Sequence, residues 1–301
     1  MRKACAPQKV TKSPLIAACA TSVLVWIGLS SIPKSASESW LGGTSVYAAD
    51  HKKIGKAECT DCHAELIKHA VMHAPAEGCD TCHEYTEEGA KAQVILKAKG
   101  NELCFICHTE KQEDLEKKSS QHPPAEDDCL NCHDPHSTDN PRMLKVPLSE
   151  LCVTCHTERQ EEFDTKKFAH PPARELGCVT CHNPHATDNK PLLKAKPNNV
   201  CLACHSLNAG HEGGEIKEGK FLIFPETTIP AGYQDKARKV ILGSNGRGHP
   251  FMGHPVDGVP NPAKRDKELA CVSCHNPHAG NFRQMFQNDL RGQALCLSCH
   301  Q

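Results

Sequence analysis

Eighteen of the 20 cysteines in this 301-residue chain fall into one pattern, Cys-x-x-Cys-His, which occurs nine times without a variant. The copies are Cys59, Cys62 and His63; Cys79, Cys82 and His83; Cys104, Cys107 and His108; Cys129, Cys132 and His133; Cys152, Cys155 and His156; Cys178, Cys181 and His182; Cys201, Cys204 and His205; Cys271, Cys274 and His275; and Cys296, Cys299 and His300. Two thiols three positions apart lie one helical turn from each other, and the adjoining residue sets an imidazole beside them. That arrangement suits thioether attachment of a porphyrin, with the histidine as proximal ligand to its iron.

Two other chemistries compete for these residues. Sixteen residues separate Cys62 from Cys79, an interval within the zinc-ribbon range, but zinc gives no reason for a histidine after every pair. A disulfide inside each Cys-x-x-Cys leaves that histidine equally unexplained and is redox-labile. The ninefold repetition of the histidine therefore points to nine covalently attached haem c groups.

Successive motifs begin 20, 25, 25, 23, 26, 23, 70 and 25 residues apart, and alternate motifs from Cys79 through Cys201 are spaced by 50, 48, 49 and 49. The repeating unit is thus a pair. A His-Pro-like element leads in, a first motif is usually followed by Asx-Pro-His, and a second motif is introduced by Leu-Cys or Val-Cys. The clearest unit runs from His122-Pro-Pro through Cys132-His133-Asp-Pro-His136 to Leu151-Cys152. His170-Pro-Pro, His182-Asn-Pro-His185 and Val200-Cys201 repeat it, as do His254-Pro, His275-Asn-Pro-His278 and Leu295-Cys296. The first pair departs from the pattern, because Glu84-Tyr85 follows His83.

With these elements the chain, over residues 59–300, resembles the multihaem c-type cytochromes with doubled CxxCH motifs. That group includes the periplasmic decahaem cytochromes with which metal-reducing bacteria pass electrons through the outer membrane. The resemblance implies that the extra histidines are sixth iron ligands, by position His122, His136, His170, His185, His254 and His278, while His51, His69 or His73 serve the first three haems. Nine of the 20 histidines are proximal, so 11 remain for nine distal places. His211 and either His249 or His254 are the surplus. Met72, Met143, Met252 and Met285 occupy no repeated position and read as core filler. Bis-histidine ligation throughout leaves no open coordination site, which argues for an electron carrier without a catalytic residue. The alternative is a multihaem oxidoreductase, acting on a nitrogen or sulfur compound, with one five-coordinate haem.

The elements that position these residues cannot form an ordinary apolar core. Leu, Ile, Val and Phe together make up under a fifth of the chain, and aromatics only 4%. Such a composition does not by itself bury enough surface to offset chain entropy. The expected fold is therefore mostly irregular with short α-helices, packed on haem, with nine haems in an extended row. The haem-pair repeats are expected at residues 73–108, 122–156, 170–205 and 254–300. A motif-free insert covers 206–270, within which Phe221-Leu222-Ile223-Phe224 reads as a short buried strand.

Residues 1–48 form a separate segment, in which Arg2, Lys3, Lys9 and Lys12 precede an apolar run over 15–32 and Val46-Tyr47-Ala48 ends in small residues. This reads as a signal peptide, or as a retained N-terminal anchor, preceding a nonahaem domain over 49–301. Cys5 and Cys19 are leader residues in that reading. Without the leader the chain carries 30 basic and 35 acidic groups, a net charge of −5. Nucleic-acid binding is disfavoured on that balance. Export, most simply to the periplasm, fits partners that are redox proteins: an inner-membrane donor, and an outer-membrane conduit or terminal reductase, in respiratory or extracellular electron transfer. Intact protein from a host that matures c-type cytochromes is expected to outweigh its polypeptide by nine haem groups. A mass equal to the bare chain would remove the cofactor reading.

Overall fold

The computed structural model describes residues 59–88, 91–206, 216–242 and 254–300. The leader and the histidines at 51, 211 and 249 lie outside the described residues. Two compact units divide the chain. The described part of the smaller one consists of the helical turn Thr60–His63 and the strand His83–Glu88, which pairs with Lys91–Leu96 in a two-stranded sheet. The larger unit holds residues 65–82 and 96–301, so the division falls inside the second motif, between Cys82 and His83.

Inside the larger unit the cysteines of each motif lie on a short helical turn. The histidine N–H donates to the carbonyl of the first cysteine at Cys104 and His108 (2.9 Å), Cys129 and His133 (3.0 Å), Cys152 and His156 (2.9 Å), Cys178 and His182 (3.0 Å), Cys271 and His275 (3.0 Å), and Cys296 and His300 (2.9 Å). In the smaller unit His63 and Cys59 make the same bond at 2.9 Å. Between motifs run helices of at most nine residues, such as Thr109–Lys117, Thr157–Thr165 and Pro197–His205. The first of these carries the exposed Lys117–Glu113 pair at 3.0 Å, so its lysines lie on a solvated face. Among the described residues no helix is long and apolar enough to cross a membrane.

The structure adds strands that composition alone did not suggest. His73, and the His-Pro elements at His122 and His170, each follow a two-residue strand that pairs antiparallel with the dipeptide after the Asx-Pro-His of the following repeat. Val71–Met72 pairs with Ser137–Thr138, Ser120–Gln121 with Ala186–Thr187, and Phe168–Ala169 with Ala279–Gly280. The cause is local. Proline after His122 keeps that residue extended, at φ −91° and ψ 114°, and starts the helix Pro123–Asp127 at its first position. The extended histidine leaves its N–H to a neighbour, and His122 donates to the His185 carbonyl at 2.8 Å. His73 donates likewise to His136 (2.9 Å) and His170 to His278 (2.7 Å).

Small residues fill the facing positions: Ser137, Ala186 and Ala279 are 3%, 1% and 0% exposed. Apart from Leu144, Phe221, Ile229 and Leu269, the buried apolar side chains are those two alanines, so protein atoms alone make no substantial core among the described residues. Within the insert, Lys220–Phe224 is the middle of a three-stranded sheet between Ile216–Lys217 and Thr227–Pro230. The expected burial holds for Phe221, whereas Leu222 turns outward, because successive strand residues face opposite sides. Replacing Ala186 with Leu is expected to cost about 1–3 kcal/mol by overpacking the second strand junction. A lowered Tm of the holoprotein checks it, and an unchanged Tm would mean that the junction is loosely packed.

Candidate haem sites

Six motif histidines each meet an extra histidine across a fixed gap. The rings of His73 and His108 have centroids 6.2 Å apart and planes within 14° of parallel. His122 faces His156 at 6.3 Å and 19°, His133 faces His185 at 6.2 Å and 19°, and His170 faces His205 at 6.2 Å and 17°. His182 faces His278 at 6.2 Å and 24°, while His254 and His300 stand 6.1 Å apart and perpendicular, at 86°. Two imidazole–metal bonds of about 2 Å each, plus the half-widths of two five-membered rings, add up to such a gap. Direct stacking of rings does not, since contact closes at shorter distances: His275 and Phe286 lie 4.7 Å apart.

Several of these rings are held through the far nitrogen. Nδ1 of His73, His122 and His170 donates to the carbonyls of Pro135 (3.0 Å), Pro184 (2.9 Å) and Pro277 (3.0 Å). Nδ1 of His133, His182 and His275 donates to Arg142 (2.9 Å), Pro191 (3.0 Å) and Gln284 (2.8 Å), in each case nine residues downstream. A carbonyl only accepts, so Nδ1 carries the hydrogen and Nε2 keeps its lone pair for a metal. Arg142 and Gln284 present those carbonyls from left-handed backbone, φ 60° and 54°, a conformation that costs energy for non-glycine residues. His205 Nδ1 bonds Arg238 of the insert at 2.8 Å, whereas His108 and His156 have Glu110 and Glu158 carboxylates 3.7 Å away.

The Asx of Asx-Pro-His has a definite task. The side chains of Asp134, Asn183 and Asn276 accept the N–H of His136 (2.9 Å), His185 (3.0 Å) and His278 (2.9 Å), closing an Asx turn that aims the imidazole. Burial pulls the His185 imidazole down to about 4 and lowers His170, His182 and His278 as well, so these rings are neutral near pH 7, the form that binds a metal.

Cysteines of successive motifs adjoin in chain order. Thiols share hydrogen bonds between Cys104 and Cys129, Cys152 and Cys178, and Cys201 and Cys271. The bond from Cys152 takes Cys178 down to about 6, and that from Cys201 takes Cys271 to about 7. Within pairs, burial and the charge of the partner cysteine raise Cys132 beside Cys155, and raise Cys181 beside Cys204 to about 11. The second cysteine of a motif varies in exposure: Cys62, Cys107 and Cys155 are exposed, whereas Cys82, Cys132 and Cys181 are half-buried. Cys107 stays on the turn of its motif, its N–H donating to the Cys104 carbonyl at 3.2 Å, so both thiols of that motif remain on one side of His108.

Two placements differ from what the sequence suggested, and two more bear on its ligand set. The second motif, identical to the others in sequence, is built differently in backbone. Cys82 closes the turn with its N–H on the Cys79 carbonyl at 3.4 Å, and its own carbonyl accepts from Lys97 at 2.9 Å, as those of Cys132, Cys181 and Cys274 accept from Lys145, Lys194 and Gln287, but His83 opens the strand His83–Glu88. The cause lies in the Glu84-Tyr85 that replaces Asn-Pro, since without the proline the chain after His83 is free to pair as a hairpin. The unit starting at His122 seemed to carry both its extra histidines, but His133 is faced by His185 and His182 by His278, each from the following repeat, because the strand pairing carries the Asx-Pro-His backward. His69 bonds the Asp139 carboxylate through Nδ1 at 3.0 Å, the place that Lys118 takes on Asp188 (3.1 Å) one repeat later. His254, weighed as surplus, faces His300.

His136 keeps the register of His185 and His278, just ahead of its strand. Sequence reasoning missed Asn101 and Asn198, three residues before a second-motif cysteine. Their side chains accept the N–H of Cys129 (2.8 Å) and Cys271 (2.9 Å) in the next repeat, and only that repeated offset could have signalled them.

Imidazole pairs spaced for one iron, each carrying a motif histidine with its two cysteines, fit covalent haem. Zinc would call for about four convergent ligands, and among the described residues no group of three or more His, Cys, Asp or Glu side chains comes together to hold a metal ion. The sites define a multihaem c-type cytochrome. The doubled CXXCH motif family matches residues 73–113, 122–161, 170–210 and 261–301, more than half of the chain, and the chain belongs to that family. These regions contain eight of the nine motifs, which bind haem c covalently. A relative, the multiheme cytochrome MtrA of Shewanella baltica (strain OS185), is 35% identical over 86 residues. The match spans 27% of this chain and 25% of that protein.

Proposed function

We propose that this chain is an exported electron-transfer cytochrome that carries nine bis-histidine haems in a row, and that it relays electrons without transforming a substrate. The observation that carries the reading is the set of six facing imidazole pairs, each supplying one motif histidine. The sixth ligands are His73 for the iron at His108, His122 for His156, His185 for His133, His170 for His205, His278 for His182 and His254 for His300. His136 is a distal ligand by its equivalent register. The haem at Cys79, Cys82 and His83 keeps the two-cysteine turn. The ninth sits at Cys59, Cys62 and His63, ahead of the family-matched regions, where the same histidine-to-cysteine backbone bond closes the turn.

Bound haem supplies reversible one-electron chemistry at its iron. The chain's residues do the rest. Paired imidazoles on both faces keep small molecules off the metal and, compared with Met/His ligation, favour low potentials. Carbonyls on Nδ1 raise the basicity of the ligating rings. Adjoining cysteines, from Cys104 with Cys129 through Cys274 beside Cys299, hold successive groups in chain order and support an unbranched row. The likeness to a multiheme cytochrome named MtrA supports work beside other redox proteins, namely an inner-membrane donor and an outer-membrane conduit or terminal reductase, from a periplasmic location that the leader composition favours.

Replacing His185 with Ala is expected to leave the number of covalent haems unchanged and turn one haem, that of Cys129 and Cys132, high-spin. An unaltered low-spin spectrum removes His185 from the ligands. The dithionite-reduced wild type is expected to bind far less than one carbon monoxide per chain. A full equivalent would overturn the carrier reading and favour a reductase with one open iron.

A further inference from the structure

The second and third strand junctions each deliver two extra histidines at once, and both face motifs of the same pair. At the second junction His122 faces His156 and His185 faces His133, and the same scheme joins His170 with His205 and His278 with His182 at the third. The two histidines of a junction are bonded to each other twice. The His122 N–H donates to the His185 carbonyl at 2.8 Å. The His122 ring donates through Nδ1 to the Pro184 carbonyl at 2.9 Å, which belongs to the very peptide that leads into His185. At the third junction the corresponding contacts are 2.7 Å from His170 to His278 and 3.0 Å from the His170 ring to Pro277.

We propose that the two haems of a repeat are redox-coupled through their distal ligands, along the path His122 ring, Nδ1–H, Pro184 carbonyl, His185 peptide and His185 ring. This rests on the bis-histidine reading above. The path has one hydrogen bond and is otherwise covalent, and it joins irons whose proximal sides belong to different motifs. Each transfer oxidises one iron by one electron and reduces the other by one, while the Nδ1 proton stays on His122. The route also explains the middle residue of Asx-Pro-His. Proline fixes the φ of its own residue, which holds the carbonyl in place for the incoming ring. Asn183 is the positioning residue of the device, because its side chain closes the turn through the His185 N–H at 3.0 Å.

The test is Asn183→Ala in the full holoprotein, with Asn183→Asp as the conservative control, since Asp134 already fills this place one repeat earlier. Haem methyl resonances followed through a redox titration give individual midpoints. Loosening the turn disturbs His185 directly, so a structural role alone shifts only the haem of Cys129 and Cys132. Coupling predicts in addition an upward shift at the haem of Cys152 and Cys155, whose ligand His122 loses its carbonyl partner, with the other haems unmoved and both shifts reversed in Asn183→Asp. An unchanged midpoint at the Cys152 and Cys155 haem overturns the proposal.

Wild-type protein gives a second reading that does not depend on the variant folding. When the iron at His156 is oxidised, paramagnetic shift must reach the His185 peptide nitrogen, and its absence overturns the path. High-spin haem at either motif in the wild type overturns the ligand assignment itself, and with it this coupling.

Discussion

The proposed iron between two imidazoles would fix the distance across the gap, the protonation state of both rings and the direction from which each must arrive, and the described parts of this chain are arranged to meet those demands. A ligating ring must be neutral, with Nε2 unprotonated and Nδ1 bonded elsewhere. The chain answers with prolyl carbonyls for the incoming histidines and with carbonyls nine residues downstream for His133, His182 and His275. At Arg142 and Gln284 the backbone that presents this carbonyl is left-handed.

Coordination also replaces the apolar core that composition denies the chain. Leu144, Phe221, Ile229 and Leu269 are the only large apolar side chains buried among the described residues, so cohesion between repeats rests on short strand pairs and on imidazoles that reach across them. His185 reaches from its own repeat to the repeat before it, as does His278. Repeats therefore behave as neighbours in a one-dimensional array, each completed by the next. The insert respects that logic. It lengthens the loop between the third and fourth repeats without altering their junction, where Phe168–Ala169 still meets Ala279–Gly280, and it returns Arg238 to bond His205.

The sequence made the chemistry legible and the connectivity much less so. Nine histidines each following a Cys-x-x-Cys, and the near-constant interval between alternate motifs, exposed the haem pairs, because thioether attachment and proximal ligation are local to five residues. His122, His170 and His254 stood out for an equally local reason, the proline behind each. Which iron each extra histidine approaches is a matter of strand pairing between residues 65 or more positions apart, as Met72 with Ser137 shows, and two-residue strands leave no periodicity to read. For that reason His136, His185 and His278 looked like members of their own units. The hairpin after Cys82 was hidden in another way, since the motif itself is unaltered there and only the missing proline behind it marks the change.

With haem bound at the proposed ligands, neighbours joined through one junction and repeats joined through adjoining cysteines would form a chain of redox groups that follows the polypeptide. Such an arrangement suits passage of electrons more than their storage at one centre. Anomalous diffraction at the iron absorption edge tests it most directly. The account predicts an iron peak midway between the imidazoles of His133 and His185, of His182 and His278, and of each other facing pair, in a single file ordered as the motifs are ordered. Irons bound by one histidine alone, or standing out of chain order, would contradict it.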